Sequence, residues 1–146
     1  MSVAMMNMTA ILVIDDEQMM CDLLQSACSS HGYTVVTATD SRRGLALFQQ
    51  WRPRVTLLDL RMPEIDGIEV LKQIRKIEPK ADVIMLAGGG TDALEFQARG
   101  LGVTDFFRKG LPLDVLTKTM DRALQRTTKM TVPPPSVTWI GEATSA

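Results

Sequence analysis

The chain has 146 residues, enough for one domain with a hydrophobic core, and sixteen basic against seventeen acidic residues leave a formal charge of -1. Charge therefore gives no general attraction to nucleic acid or to an anionic membrane, and no stretch approaches the length of a membrane span or reads as a secretory leader. A single histidine and two cysteines make no metal-binding Cys/His cluster, and Cys21 and Cys28, two turns apart on one expected helix, are too distant for a disulfide; a soluble cytoplasmic protein with reduced thiols is expected.

The elements alternate along the chain. "AILVID" (10–15) is a short continuous apolar run, as in a strand buried on both faces of a parallel sheet. A helix follows over 17–30, with Met20, Leu23, Leu24 and Ala27 at spacings of three and four, and "HG" (31–32) closes it. "YTVVTA" is the second strand. Asp40 or Ser41 caps a second helix carrying Leu45, Phe48 and Trp51, which Pro53 ends. "VTLLDL" (55–60) is the third strand, and "GIEVLKQIRKI" puts Ile68, Leu71 and Ile74 on one helical stripe that Pro79 stops. "DVIML" is the fourth strand. A short helix over 92–99, the strand "TDFFRK" (104–109), and a last helix opened by Pro112, with Val115, Leu116, Met120 and Ala123 facing inward, complete five βα units. Such alternation predicts an α/β fold: a doubly wound five-stranded parallel sheet with right-handed crossovers.

In these sheets ligands bind beyond the carboxyl ends of the strands. Those ends carry Asp15 and Asp16 after strand one, Asp59 near the end of strand three, Ala87 and Gly88 after strand four, and Lys109 after strand five. Packed carboxylates repel and raise one another's pKa, so this cluster calls for a cation or a shared proton. Oxygen ligands suit Mg²⁺. The plainer alternative is that Asp15, Asp16 and Glu17 only cap the first helix.

Three stretches give these residues a family context. "VIDDE" (13–17), "LLDLRMPEIDG" (57–67) and "GVTDFFRKG" (102–110) together resemble the receiver domains of two-component response regulators, over roughly residues 9–126, which implies the flavodoxin-like (βα)5 receiver fold. Residues 1–8 would then be a flexible amino terminus and 127–146 a Pro-containing tail or linker stub. The resemblance implies that Asp59 accepts a phosphoryl group from a sensor histidine kinase or phosphotransfer protein. It also implies that Asp16 and Asp59 ligate Mg²⁺ directly, Asp15 through water, and the backbone carbonyl of Arg61 as well, with Lys109 pairing with the phosphoryl group. The backbone N–H of Gly88 could donate to that group. The face of the fourth helix, fifth strand and fifth helix is expected to meet a downstream protein partner and could pair two copies as a homodimer; binding to nucleic acid is not expected. The resemblance also implies that enzymic activity is at most self-phosphorylation and self-dephosphorylation.

The sequence departs from the family pattern at three places. Ala87 stands where the family has a serine or threonine whose hydroxyl bonds the phosphoryl group. A hydrogen bond to a charged group is worth roughly 1.5–3 kcal/mol, so an active state held by that contact would be populated about 10 to 100-fold less. Gly110 follows Lys109 where the family has a cis proline, and a non-proline cis bond costs about 2.5–4 kcal/mol, so a trans bond is expected. The aromatic-switch position, Phe106, lacks a tyrosine hydroxyl. "AGGGTD" (87–92) could be an anion nest, a hinge replacing the hydroxyl switch, or slack, and Thr91 could supply the missing hydroxyl if the loop folds back. Ala87 and Gly110 also motivate an alternative, a degenerate receiver acting as a phosphorylation-independent interaction module. The tail "TTKMTVPPPSVTWIGEATSA" has no periodicity; its prolines suggest an extended stretch, in a stand-alone regulator or at a linker to an output domain.

Overall fold

The computed structural model describes residues 10–131. Five strands alternate with five helices: β1 (Ala10–Ile14), α1 (Gln18–Ser29), β2 (Thr34–Ala38), α2 (Ser41–Trp51), β3 (Val55–Asp59), α3 (Gly67–Ile77), β4 (Asp82–Ala87), α4 (Asp92–Gly100), β5 (Asp105–Arg108) and α5 (Leu113–Thr131). All strands pair in parallel, in the order β2-β1-β3-β4-β5. The expected doubly wound α/β architecture is present, with strand order reversing between β1 and β3. No helix among the described residues is long and apolar enough to cross a membrane.

The continuous apolar strands are explained by two cores, one on each face of the sheet. On one face Ile11, Val13, Leu57, Ile84 and Phe107 pack with Cys21, Leu24 and Cys28 of α1 and with Leu116, Met120 and Ala123 of α5. On the other, Leu12, Ile14, Leu58, Met85 and Ala87 pack with Phe48 of α2, Ile68, Leu71 and Ile74 of α3, and Ala98 of α4.

Several helix details differ from expectation. Leu23 is exposed, and the inward stripe of α1 is Cys21, Leu24 and Cys28, a set with the same three-and-four spacing. Both thiols are free. Burial pushes them up to about 11 and about 12, so neither is a ready nucleophile at neutral pH. Val115 is likewise exposed, one position off the buried Leu116–Met120–Ala123 stripe of α5. Of the two expected caps of α2, Asp40 is the one used, accepting the Arg43 N–H at 2.8 Å. The Ser41 hydroxyl instead donates to the Ile65 carbonyl at 2.7 Å and ties α2 to the β3–α3 loop. Finally, α5 continues through Thr131, so residues 127–131 of the expected tail are helical. Nothing in "TTKMT" breaks a helix; the first proline is Pro133. The remainder of the tail and residues 1–9 lie outside the described residues.

Candidate functional site

The sheet register assembles the site. Ile14 pairs with Leu58, so Asp15 and Asp59 follow at the same level on adjacent strands. Asp59 pairs with Leu86 and Ala87 with Arg108, which brings Ala87 one step beyond Asp59 and Lys109 one step beyond that. Two backbone bonds fix the outer positions: Asp15 N–H to the Ala38 carbonyl at 3.0 Å and Lys109 N–H to the Ala87 carbonyl at 2.8 Å.

Lys109 reaches into the carboxylates. Its Nζ lies 2.9 Å from Asp15 Oδ2, 3.2 Å from Asp59 Oδ2 and 3.1 Å from Glu17 Oε1. The other oxygens of the two aspartates take backbone donors: the Glu17 N–H bonds Asp15 Oδ1 at 2.9 Å and the Arg61 N–H bonds Asp59 Oδ1 at 3.3 Å. Asp15 is fully buried and Asp59 nearly so, whereas Asp16 is exposed at the rim. Helix capping does not account for this acidic run, because α1 has no side-chain cap and Glu17 turns to the lysine.

Electrostatics follow from that crowding. Burial, and then the neighbouring Asp15 charge, push Asp59 up to about 7 against the pull of Lys109 and the Arg61 N–H. Asp15 is also raised, chiefly by burial. Burial alone would lower Lys109, but its hydrogen bond to Asp15 and the charges of Asp15 and Asp59 outweigh that and hold it above the ordinary lysine range. The site is therefore short of positive charge even with the lysine in place. One carboxylate oxygen from each of Asp15, Asp16 and Asp59 falls within 4.8 Å of the others, an all-oxygen set of the kind that suits a hard divalent cation.

The departures from the family pattern each have a structural outcome. The Ala87 methyl is buried in the apolar cluster that Phe106 packs against. Phe106 is half-buried, with the Arg99 guanidinium 4.5 Å over its ring. The Lys109–Gly110 peptide is trans, and Gly110 takes φ +98°. Thr91 does not offer a free hydroxyl: it is buried, with Oγ1 3.0 Å from the Gly88 carbonyl and 2.8 Å from Glu95 Oε2. In the glycine run only Gly90 has a left-handed backbone, φ +71°, and a Cβ on Gly88 or Gly89 would meet nothing within 4 Å.

Gly67 is required for a different reason than a turn. A Cβ there would lie 2.2 Å from the Asp59 carbonyl oxygen and 2.7 Å from the Leu60 Cα, and the Gly67 N–H bonds the Leu60 carbonyl at 3.0 Å. The start of α3 thus presses directly on the strand end that carries Asp59.

Two groups near the site were not foreseen. Glu17 joins Lys109, and Arg108 pairs with Glu95 of α4 at 3.2 Å while donating to the Gly88 carbonyl at 3.3 Å. The available signals were the third acid of "DDE", the Arg–Lys pair in "FFRK", and Glu95 four residues after Thr91.

Comparison with known proteins agrees with this geometry. The family model described as "Response regulator receiver domain" matches residues 11–121. Regulatory protein AtoC of Escherichia coli (strain K12) is 36% identical over 115 residues, covering 79% of this chain and 25% of AtoC. Among solved structures, a response regulator receiver domain protein from Clostridium thermocellum superposes with TM-score 0.80 at 30% identity, covering 84% of this chain and 99% of that one. NtrX from Brucella abortus superposes with TM-score 0.78 at 32% identity over 83% of this chain and 28% of that one. The chain spans about a quarter to about half of the length of its curated relatives. With the lysine and the acidic cluster assembled, the alternative of a phosphorylation-independent module finds no support. From its motifs, its strand order and these matches, the chain belongs to the response regulator receiver domain family of two-component signalling.

Proposed function

We propose that Asp59 is the phosphoacceptor of this receiver, taking its phosphoryl group from a sensor histidine kinase or phosphotransfer protein in the cytoplasm. The observation that carries this reading is Lys109 Nζ, 3.2 Å from Asp59 Oδ2 at the mouth of an otherwise uncompensated carboxylate cluster. A carboxylate oxygen of Asp59 attacks phosphorus; an O–P bond forms as the N–P bond of the phosphohistidine breaks, and the imidazole leaves. Lys109, already cationic and pinned by Asp15, pairs with the phosphoryl oxygens as charge builds there. The N–H of Arg61 bonds the second Asp59 oxygen, and in this reading the N–H of Gly88 would donate to the phosphoryl group.

Asp16 and Asp59, with Asp15 through water and the backbone carbonyl of Arg61, are the residues that would hold Mg²⁺. Bound there, the ion supplies the positive charge that the cluster lacks and neutralises phosphoryl oxygens. The downstream consequence is a change in affinity for a protein partner at the α4–β5–α5 face, where Arg99, Phe106 and Arg108 lie. Direct nucleic-acid contact by this domain is not part of the reading.

Intact mass after incubation with Mg²⁺ and acetyl phosphate tests it. A single phosphoryl adduct is expected on the wild type and none on Asp59→Asn. An adduct of equal yield on Asp59→Asn would place the acceptor elsewhere.

A further inference from the structure

The β4–α4 loop is tied from two sides by arginines, and the two ties differ in kind. At its start, the Gly88 carbonyl accepts from Arg108 and from the Thr91 hydroxyl, and both donors also engage the buried carboxylate of Glu95. That tie has its charge balanced within the fold. At its end, the Gly90 carbonyl accepts from the guanidinium of Arg61. Among the described residues no carboxylate pairs with Arg61, so this full positive charge is anchored by a neutral acceptor alone.

Arg61 also stands next to the acceptor. Its N–H already bonds Asp59 Oδ1, which holds the two residues together at the end of β3, while its guanidinium reaches the loop at Gly90. A phosphoryl group on Asp59 would bring a charge of about -1.5 to -2 and three acceptor oxygens within reach of that guanidinium. Arginine prefers such an acceptor to a carbonyl, because its planar fork matches phosphate and charge-assisted bonds are roughly twice as strong as neutral ones.

We infer that Arg61 is the phosphoryl-sensing arm of this receiver and replaces the hydroxyl that Ala87 lacks. Resting, it latches the β4–α4 loop through the Gly90 carbonyl; when Asp59 is phosphorylated, its guanidinium transfers to the phosphoryl oxygens and the loop is released. The loop is built to respond: Gly90 has the left-handed backbone, while Gly88 and Gly89 have open space where a side chain would be. The released segment runs directly into α4 at Asp92, and α4 carries Arg99, which covers Phe106. The inference rests on Asp59 being the phosphoacceptor.

The test records amide spectra of the ¹⁵N-labelled full chain before and after addition of acetyl phosphate and Mg²⁺, with intact mass measured on the same samples. In the wild type, the Gly89 and Gly90 signals should shift as the adduct forms. In Arg61→Ala the resting signals should already lie toward the phosphorylated wild-type positions, before any phosphodonor is added, and their further shift per fraction of adduct measured by intact mass should be mostly lost. Arg61→Gln, which keeps a donor for Gly90 and removes the charge, should hold the resting positions in the presence of the adduct. Glycine shifts of wild-type size in both phosphorylated variants, or an adduct on the wild type with motionless glycines, would overturn the latch and leave Asp59 as the acceptor. Absence of any adduct on the wild type would overturn both.

Discussion

Asp59→Asn should make the metal-free protein more stable at pH 8. Ionised Asp59 sits buried beside Asp15, and its value of about 7 in the fold compares with an ordinary 3.8. Because the folded value is the higher one, the folded protein binds more protons than the unfolded chain between pH 3.8 and 7. Stability therefore falls as pH rises through that window and is lowest above it. The difference, 7 minus 3.8, is 3.2 units; at about 1.36 kcal/mol each it sets an upper figure of about 4 kcal/mol, which already includes the pull of Lys109 and the Arg61 N–H. Lys109 is raised, so its contribution persists below the ordinary lysine range and adds no slope between pH 5 and 8. Asparagine keeps an acceptor for the Arg61 N–H and drops the charge. Thermal melts in EDTA at pH 8 should thus show the variant more stable by about 1–4 kcal/mol, with the gap closing toward pH 5. Adding Mg²⁺ should raise the wild type more than the variant, because only the wild type presents the full carboxylate set. A variant no more stable than wild type at pH 8 without metal, or a gap that does not change with pH, would refute the repulsion argument.

Three further outcomes follow from individual contacts. Arg75 bonds the Leu101, Ala81 and Gly102 carbonyls at 2.8–2.9 Å, clamping α3 to the chain before β4 and to the chain after α4; Arg75→Ala should cost about 2 kcal/mol in urea unfolding, after discounting for its partial exposure. Gly67→Ala must push back the Asp59 carbonyl and Leu60, so a loss of about 1–3 kcal/mol and slower adduct formation with acetyl phosphate are expected together; unchanged rates would show that α3 does not position the acceptor. Thr56 is fully buried on β3 with an unpartnered hydroxyl, and Thr56→Val should raise the urea midpoint, by about 1 kcal/mol in stability, where a loss would reveal a hidden role for that oxygen.

What the sequence made legible was whatever depends on local pattern. Continuous apolar runs named the buried parallel strands, and proline and glycine punctuation bounded most helices. The acids and lysine at the strand ends followed, because a doubly wound sheet carries all its carboxyl ends to one edge. On α5 only Val115 fell outside the expected inward stripe, whereas on α1 two residue sets share one spacing. On α1, Met20, Leu23 and Ala27 compete with Cys21 and Cys28 around the common Leu24, and cysteine, a small and readily buried hydrophobe, takes the inner stripe. Glu17 to Lys109 and Arg61 to Gly90 span 92 and 29 residues, so neither pairing exists until the sheet closes. Gly67 carried a glycine signal, but its cause is an approach to Asp59 that no spacing rule contains.

The changed positions separate the chemistry of this receiver from its switch. A proline after Lys109 would fix φ near -65°, yet Gly110 stands at +98°, a backbone region closed to proline and costly for other side chains. The chain after the lysine therefore follows its own path, and the lysine is still placed. Its N–H is held by the Ala87 carbonyl, and Leu111 N–H returns to Arg108 at 3.2 Å, so the strand ladder and a tight turn do what a proline would otherwise do. Nζ then reaches Asp15 and Asp59 within 3.2 Å. Ala87 is different, because nothing on its strand replaces the hydroxyl and Thr91 is committed to Gly88 and Glu95. With Asp59 as the proposed acceptor, the charge around it depends on strand register and is kept, whereas a read-out through the strand-four hydroxyl that the family resemblance implies would have to be rebuilt. Arg61, bonded to Asp59 through its N–H and to the Gly90 carbonyl through its guanidinium, is the residue that we infer would take that second task.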